Sequence, residues 1–205
     1  DLHQWVRLLL EGSLALAARQ AVRIHGARYP VYVTRSLEEA IAYVRARHNG
    51  EPEKRTGLLA SSHAKCLPSH GVPNDFQSTR RTKFERWYNG EADDPESSNA
   101  LLQPVTEFGC QGLELDLPIL CWGEDYRWEG NAWSCTPVRR RYPQDDPVAL
   151  LQNAYRVLLT RGRDGLVIFL PPERGLDATE VALLAAGAKP IPEPAEILTA
   201  GSAAS

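Results

Sequence analysis

The sequence predicts an α/β fold built around a mostly parallel sheet. Four short apolar runs bounded by turn residues, VYVT at 31–34, TGLLAS at 56–61, LPILCWG at 117–123 and GLVIFLP at 165–171, read as strands buried on both faces. Between them lie segments whose apolar residues recur at helical spacing, as with Leu37, Ala40, Ile41 and Val44, and again with Val148, Leu151, Tyr155, Leu158 and Leu159. Strands that alternate with amphipathic helices favour parallel pairing with helices on both faces. Ligands of such sheets gather at the carboxyl ends of the strands.

In chain order, Leu2, Trp5, Val6 and Leu9 share one helical face, and the Ala-rich continuation predicts a single helix to about Val22. Residues 1–28 are therefore expected to be a helical segment, the end of a preceding domain. Gly26 and Pro30 break it before the first strand. Ser36-Leu-Glu-Glu39 is a capping box that opens the next helix. Ser61-Ser62-His63 ends the second strand, and residues 68–73 are loop. Arg80, Arg81, Lys83 and Arg86 interleave with Phe84, Trp87 and Tyr88, and the acidic linker EADDPESS follows at 91–98. LLQPVT at 101–106 leads as a strand into the polar turn EFGCQGLELD. Residues 124–138 hold an EGN turn between Trp128 and Trp133, which predicts a small β-hairpin whose tryptophans are core. Residues 139–147 form a charged loop, residues 177–186 a last short helix, and 191–205 a Pro/Ala/Ser-rich flexible tail. The domain itself is expected over 29–190.

Composition excludes several classes. At 205 residues with 43% apolar and 24% charged residues the chain has the makings of a globular domain, and no apolar run approaches a membrane span. Its net charge of −3 gives no global field for nucleic acid, so such a partner must be held by local patches. Cys66, Cys110, Cys121 and Cys135 form no C-x-x-C pair and no ligand spacing with His63 or His70. They read as reduced thiols of a cytoplasmic protein. The chain has no methionine, so Asp1 is expected to lie within a longer reading frame.

No G-x-x-x-x-G-K-[ST] loop, G-x-S-x-G elbow or His-rich metal motif is present in the sequence, which argues against an autonomous hydrolase. Two stretches remain. Thr106 with Gln111-Gly112-Leu113-Glu114 resembles the fifth motif of superfamily 1 helicases, and Leu159-Thr160-Arg161-Gly162-Arg163 resembles their sixth, which closes with Thr-Arg-Ala-Arg. With TGLLASSHAKCL as a fourth-motif strand, and with CWGEDYRW and NAYRVLLTRGRDG, the chain resembles the Schlafen group 3-like DNA/RNA helicase domain family over roughly residues 30–190. Two positions depart from that pattern. Phe108 stands where many relatives have His, and Arg156 where many have Tyr, with Tyr155 one place earlier.

The resemblance implies a RecA-like, P-loop NTPase-type three-layer sandwich, the second domain of a two-domain motor. The Walker loop would sit on an N-terminal RecA-like domain outside this chain, which would bind most of the ATP and Mg²⁺. By resemblance, Arg161 is the arginine finger, with Arg163 the competing candidate for the nucleotide. Gln111 and Gly112 sense the γ-phosphate, Glu114 meets the ribose, and Thr106 touches the nucleic-acid backbone. Ser61, at a strand end, and Arg80 and Arg81, in the basic-aromatic run, complete the expected groove for single-stranded DNA or RNA. Each residue also has a plainer reading. Arg161 and Gly162 can simply end a helix, Glu114 can be solvated, the run from Arg80 to Tyr88 can be an amphipathic helix, and His63 and Lys65 can merely end a strand. The rival function is a non-catalytic nucleic-acid-binding or interaction module that kept a helicase fold.

Overall fold

The computed structural model describes residues 1–49, 51–91, 93–135 and 146–192. Its centre is a six-stranded sheet made of β1 (Val31–Thr34), β2 (Thr56–Ala60), β3 (Pro104–Thr106), β4 (Leu117–Cys121), β7 (Leu166–Phe169) and β8 (Lys189–Pro190). The order is β3-β2-β4-β7-β1-β8, and every pairing is parallel. β5 (Tyr126–Glu129) and β6 (Ala132–Cys135) form a separate antiparallel hairpin, turned by Gly130 at φ 63° between the paired Glu129 and Ala132. The architecture is the RecA-like α/β sandwich that the sequence predicts, with a hairpin added.

Alternation along the strands sorts the core into two layers. Leu59, Leu120, Val31, Val33, Leu166 and Ile168 face α1 (Leu2–Leu10), α2 (Leu14–Gly26), α6 (Pro147–Leu159) and α7 (Asp177–Ala185). Leu58, Ala60, Ile119, Cys121, Val167 and Phe169 face α3 (Leu37–Arg47) and the loops after β2. Both sheet faces are covered, which is why these strands carry no polar stripe. α3 opens as its capping box requires, the Ser36 side chain accepting from the Glu39 amide at 3.1 Å.

The single helix expected over the first 22 residues is two. α1 ends at Leu10, Gly12 follows with a φ of 79° that a helix cannot continue, and Ser13 is the N-cap of α2. Both helices belong to the sheet's own core. Trp5 Nε1 donates to Ala186 O at 2.9 Å, Trp133 Nε1 to Leu9 O at 2.7 Å, and Gln152 Nε2 to Leu10 O at 2.7 Å. The basic-aromatic run also divides, into α4 (Phe76–Arg80) and α5 (Phe84–Asn89). Most of the 139–147 loop and all but the first two residues of the 191–205 tail lie outside the described residues.

Hairpin tryptophans pack inward as expected. Trp122, Tyr126, Trp133 and Tyr155 form one aromatic stack, with Trp122 4.3 Å from Tyr155 and Tyr126 4.9 Å from Trp133 between ring centroids.

Candidate functional site

The two motif stretches meet. Leu115 bridges Gly162 in parallel register; the Leu115 amide donates to Arg161 O at 2.9 Å, the Arg163 amide to Leu115 O at 2.8 Å, and the Asp164 amide to Asp116 O at 2.8 Å. They extend the β4–β7 pairing backwards. The junction therefore lies at the amino edge of the sheet, where β4 and β7 begin, and not at the carboxyl edge that the general rule for such sheets suggests. Helix direction explains this. α6 runs antiparallel to β7, so its C-terminal end, Thr160 and Arg161, arrives where β7 starts.

Arg161 ties the two motifs through its side chain as well. Nε donates to Val157 O at 3.0 Å, Nη1 to Leu113 O at 3.2 Å and Cys110 O at 3.4 Å, and Nη2 to the Thr160 hydroxyl at 3.2 Å. The Thr160 hydroxyl in turn donates to Arg156 O or Val157 O, at 3.0 and 3.1 Å. Together they satisfy carbonyls that the last turn of α6 leaves open, and a cation there suits the helix dipole. One Nη2 N–H of Arg161 is left without an acceptor among the described residues. Gly162 has no room for a side chain: a Cβ would fall 2.1 Å from Gly165 O and 2.8 Å from the Tyr29 hydroxyl. This explains glycine where the resembling motif has alanine.

Gln111, Gly112 and Glu114 are exposed on the turn that Arg161 holds. Gly112 has φ 79°, and nothing stands within 4 Å of where a Cβ would be. Among the described residues the amides of Gln111, Gly112 and Glu114 have no backbone acceptor. The Arg163 side chain turns outward to Glu114, Nε to Oε2 2.8 Å, with 55% and 59% of the two side chains exposed. On the inner side of the turn, Cys110 is buried, and burial pushes its thiol up to about 12 against the opposing pull of Arg161. Beneath the junction Lys54 joins Asp164 and Asp116, at 2.5 and 3.4 Å, and the hydrogen bond it donates to Asp164 is the chief reason its ammonium is held more basic than usual.

The expected nucleic-acid residues lie apart from this junction. Thr106 ends β3, half-buried, at the carboxyl edge. Ser61 is fully buried: its hydroxyl donates to Asp125 Oδ2 at 2.6 Å and accepts from the His63 amide at 3.2 Å, so it presents nothing to a ligand. Its role is to help build a loop that three carboxylates hold. Glu107 accepts from the Ser62 amide and hydroxyl, Glu124 from the Lys65 and Cys66 amides, and Asp125 from Ser61 and Tyr155. His63 and Lys65 stay exposed on that loop. The sequence hid these carboxylates, since each acts on a segment some 45 to 64 residues away.

Arg80 and Arg81 are exposed at the end of α4, and with Lys83 they have no carboxylate partner among the described residues. Arg86 is different, bound to Asp94 at 2.7 Å and Glu96 at 2.9 Å. Trp87 is buried with Nε1 on Gln103 O at 2.9 Å, so its ring is closed to a base, while Tyr88 is half-buried and its hydroxyl donates to Glu114 O at 2.9 Å. Among the described residues no group of His, Cys, Asp and Glu could hold a metal, and no helix is long and apolar enough to cross a membrane.

Residues 1–172 match the family described as Schlafen group 3, DNA/RNA helicase domain. No curated protein and no solved structure matches the chain. The match takes in α1, α2, the sheet from β1 to β7, and both motif stretches. The chain belongs to the Schlafen group 3 DNA/RNA helicase domain family.

Proposed function

We propose that this chain is the C-terminal RecA-like domain of an ATP-dependent DNA or RNA helicase or translocase, and that it turns its amino edge toward ATP bound mainly by a second RecA-like domain. The observation that carries this reading is the junction at Leu115, Arg161 and Gly162, where two stretches far apart in sequence are locked into one wall. The wall suits an anion. Among the described residues the amides of Gln111, Gly112 and Glu114, and one N–H of Arg161, are donors without an acceptor, and Gly112 lets a phosphate approach the backbone closely.

Bound ATP would supply a γ-phosphoryl group whose transfer develops negative charge, with Mg²⁺ held by the other domain. Arg161 would meet that charge, Gln111 and Gly112 would orient to it, and Glu114 and Arg163 would stand at the rim nearer a ribose. Thr106, with Arg80 and Arg81, would follow a single strand at the β3 margin. A second reading has its own observation: four of the five N–H groups of Arg161 already serve backbone carbonyls and a hydroxyl, as in a purely structural staple of a non-catalytic module.

Steady-state kinetics of the full-length protein decide between them. Arg161→Ala is expected to lower kcat by roughly 10³-fold and to change KM much less, with Lys a poor replacement because it lacks the planar fork. The isolated 205-residue chain is expected to turn over no ATP. A near-normal kcat for Arg161→Ala overturns the assignment, a collapse confined to Arg163→Ala moves the finger to that residue, and robust turnover by the isolated chain refutes the two-domain reading.

A further inference from the structure

Three of the four phenylalanines in the chain are exposed on one margin of the sheet. Phe76, Phe84 and Phe108 are 75%, 48% and 69% exposed, while Phe169 is core. Large exposed apolar side chains in a group are informative in a way that a single one is not. Phe84 leans on the turn after β3: a Cβ on Gly109 would lie 2.5 Å from its ring, and Val105 Cβ is 3.3 Å from the same point. Phe108 is the residue before Gly109, so both phenylalanines belong to one turn, one resting on it and one exposed within it. α4, which begins at Phe76, packs against β3 on the same margin.

Cations and a cleft accompany the rings. Arg80, Arg81 and Lys83 have no carboxylate partner among the described residues. Ser78, Arg81, Thr82, Lys83, Glu96 and Gln103 line a cavity of about 220 Å³ between α4 and α5. In it, among the described residues, the Thr82 hydroxyl is buried without a hydrogen-bond partner, and a donor so placed is costly unless an acceptor meets it. Among the described residues the one carboxylate there, Glu96, pairs with Arg86 at 2.9 Å, a cation it shares with Asp94.

We infer that this margin seats a single strand of nucleic acid, with unpaired bases stacked on Phe84 and Phe108 and a backbone phosphate between Arg81, Thr82 and Lys83. Flat apolar faces joined to regularly spaced anions are the chemistry of an unpaired strand. A duplex hides its base faces and offers this site only its phosphates. The inference rests on the reading of the chain as a nucleic-acid motor domain, and it gives the stacking to two exposed phenylalanines rather than to the buried Trp87.

Fluorescence anisotropy of labelled oligothymidylate and oligouridylate, about ten nucleotides long to match common site sizes, tests it on the 205-residue chain across a salt series. Phe84→Leu with Phe108→Leu keeps bulk over Gly109 and removes the rings. It is expected to weaken binding roughly tenfold or more without changing the salt slope. Arg81→Ala with Lys83→Ala is expected to lower that slope by roughly 0.7 for each lost phosphate contact, and a blunt duplex is expected to bind more weakly than the single strand. Wild-type affinity in the double Leu variant, or preference for the duplex, overturns the platform while the nucleic-acid reading stands. No binding of any strand by the wild-type chain overturns both.

Discussion

Asp125 shows how a single buried group sets a pH dependence. It has no exposed surface, accepts from Ser61 at 2.6 Å and from the Tyr155 hydroxyl at 2.8 Å, and burial raises its carboxyl to about 6 in spite of those bonds. Because the folded state holds this proton more tightly than the unfolded chain, Asp125 favours folding at low pH. That contribution is lost as the pH rises from the ordinary carboxylate value to about 6. Asp125→Asn should therefore gain on the wild type by about 2–3 kcal/mol between pH 4 and pH 7, the free energy of roughly two pKa units. The amide can still meet two hydroxyls. Denaturant melts of both proteins at several pH values check this, and parallel pH profiles would place the proton elsewhere.

Among the secondary-structure elements, legibility followed how local the determinant is. α3 was readable because Ser36 and Glu39 sit three residues apart and bond directly. The break at Gly12 was not, since the Ala-rich continuation has high helix propensity and one glycine costs only about 1 kcal/mol in a helix. What separates α1 from α2 is tertiary: Trp5 and Trp133 anchor α1 to residues more than 120 positions away. β8 was hidden for a similar reason, because two residues become a strand only by pairing with β1. The motif stretches themselves were legible, but the edge they occupy depends on the direction of α6. α5 is the element whose docking is easiest to test. Gly57 in β2 lets the Trp87 indole lie against the strand, and a Cβ there would be 2.9 Å from the ring and 3.1 Å from Leu115. Gly57→Ala should destabilise the chain by about 1–3 kcal/mol, the usual cost of overpacking. Hydrogen exchange should quicken first in α5, and an unchanged melting temperature with α5 still protected would contradict the packing argument.

Across the whole molecule, the wall assigned to the nucleotide and the margin assigned to the strand are distinct, and α5 connects them. β3, at the strand margin, is two strands from β4 in the sheet, and the turn after β3 and the start of β4 lie at opposite edges. α5 bridges that gap. Phe84 at its start rests on the turn beside Phe108, and Tyr88 near its end donates to Glu114 O at 2.9 Å, within the turn that Arg161 holds. A strand that shifts Phe84 would move a short, six-residue helix whose other end grips the nucleotide wall. Rigid elements that touch both sites are the physical route by which two ligands influence one another. Tyr88→Phe removes the one hydroxyl in that connection and leaves the ring, so folding, ATP turnover without nucleic acid and strand affinity should stay near wild type. The acceleration of ATP turnover by a saturating single strand should fall by roughly 2- to 10-fold, since a neutral hydrogen bond contributes about 0.5–1.5 kcal/mol. ATPase assays of the full-length protein with and without the strand measure that ratio. Unchanged stimulation in Tyr88→Phe would exclude α5 as the link, and equal losses with and without nucleic acid would make Tyr88 a support of the nucleotide wall alone.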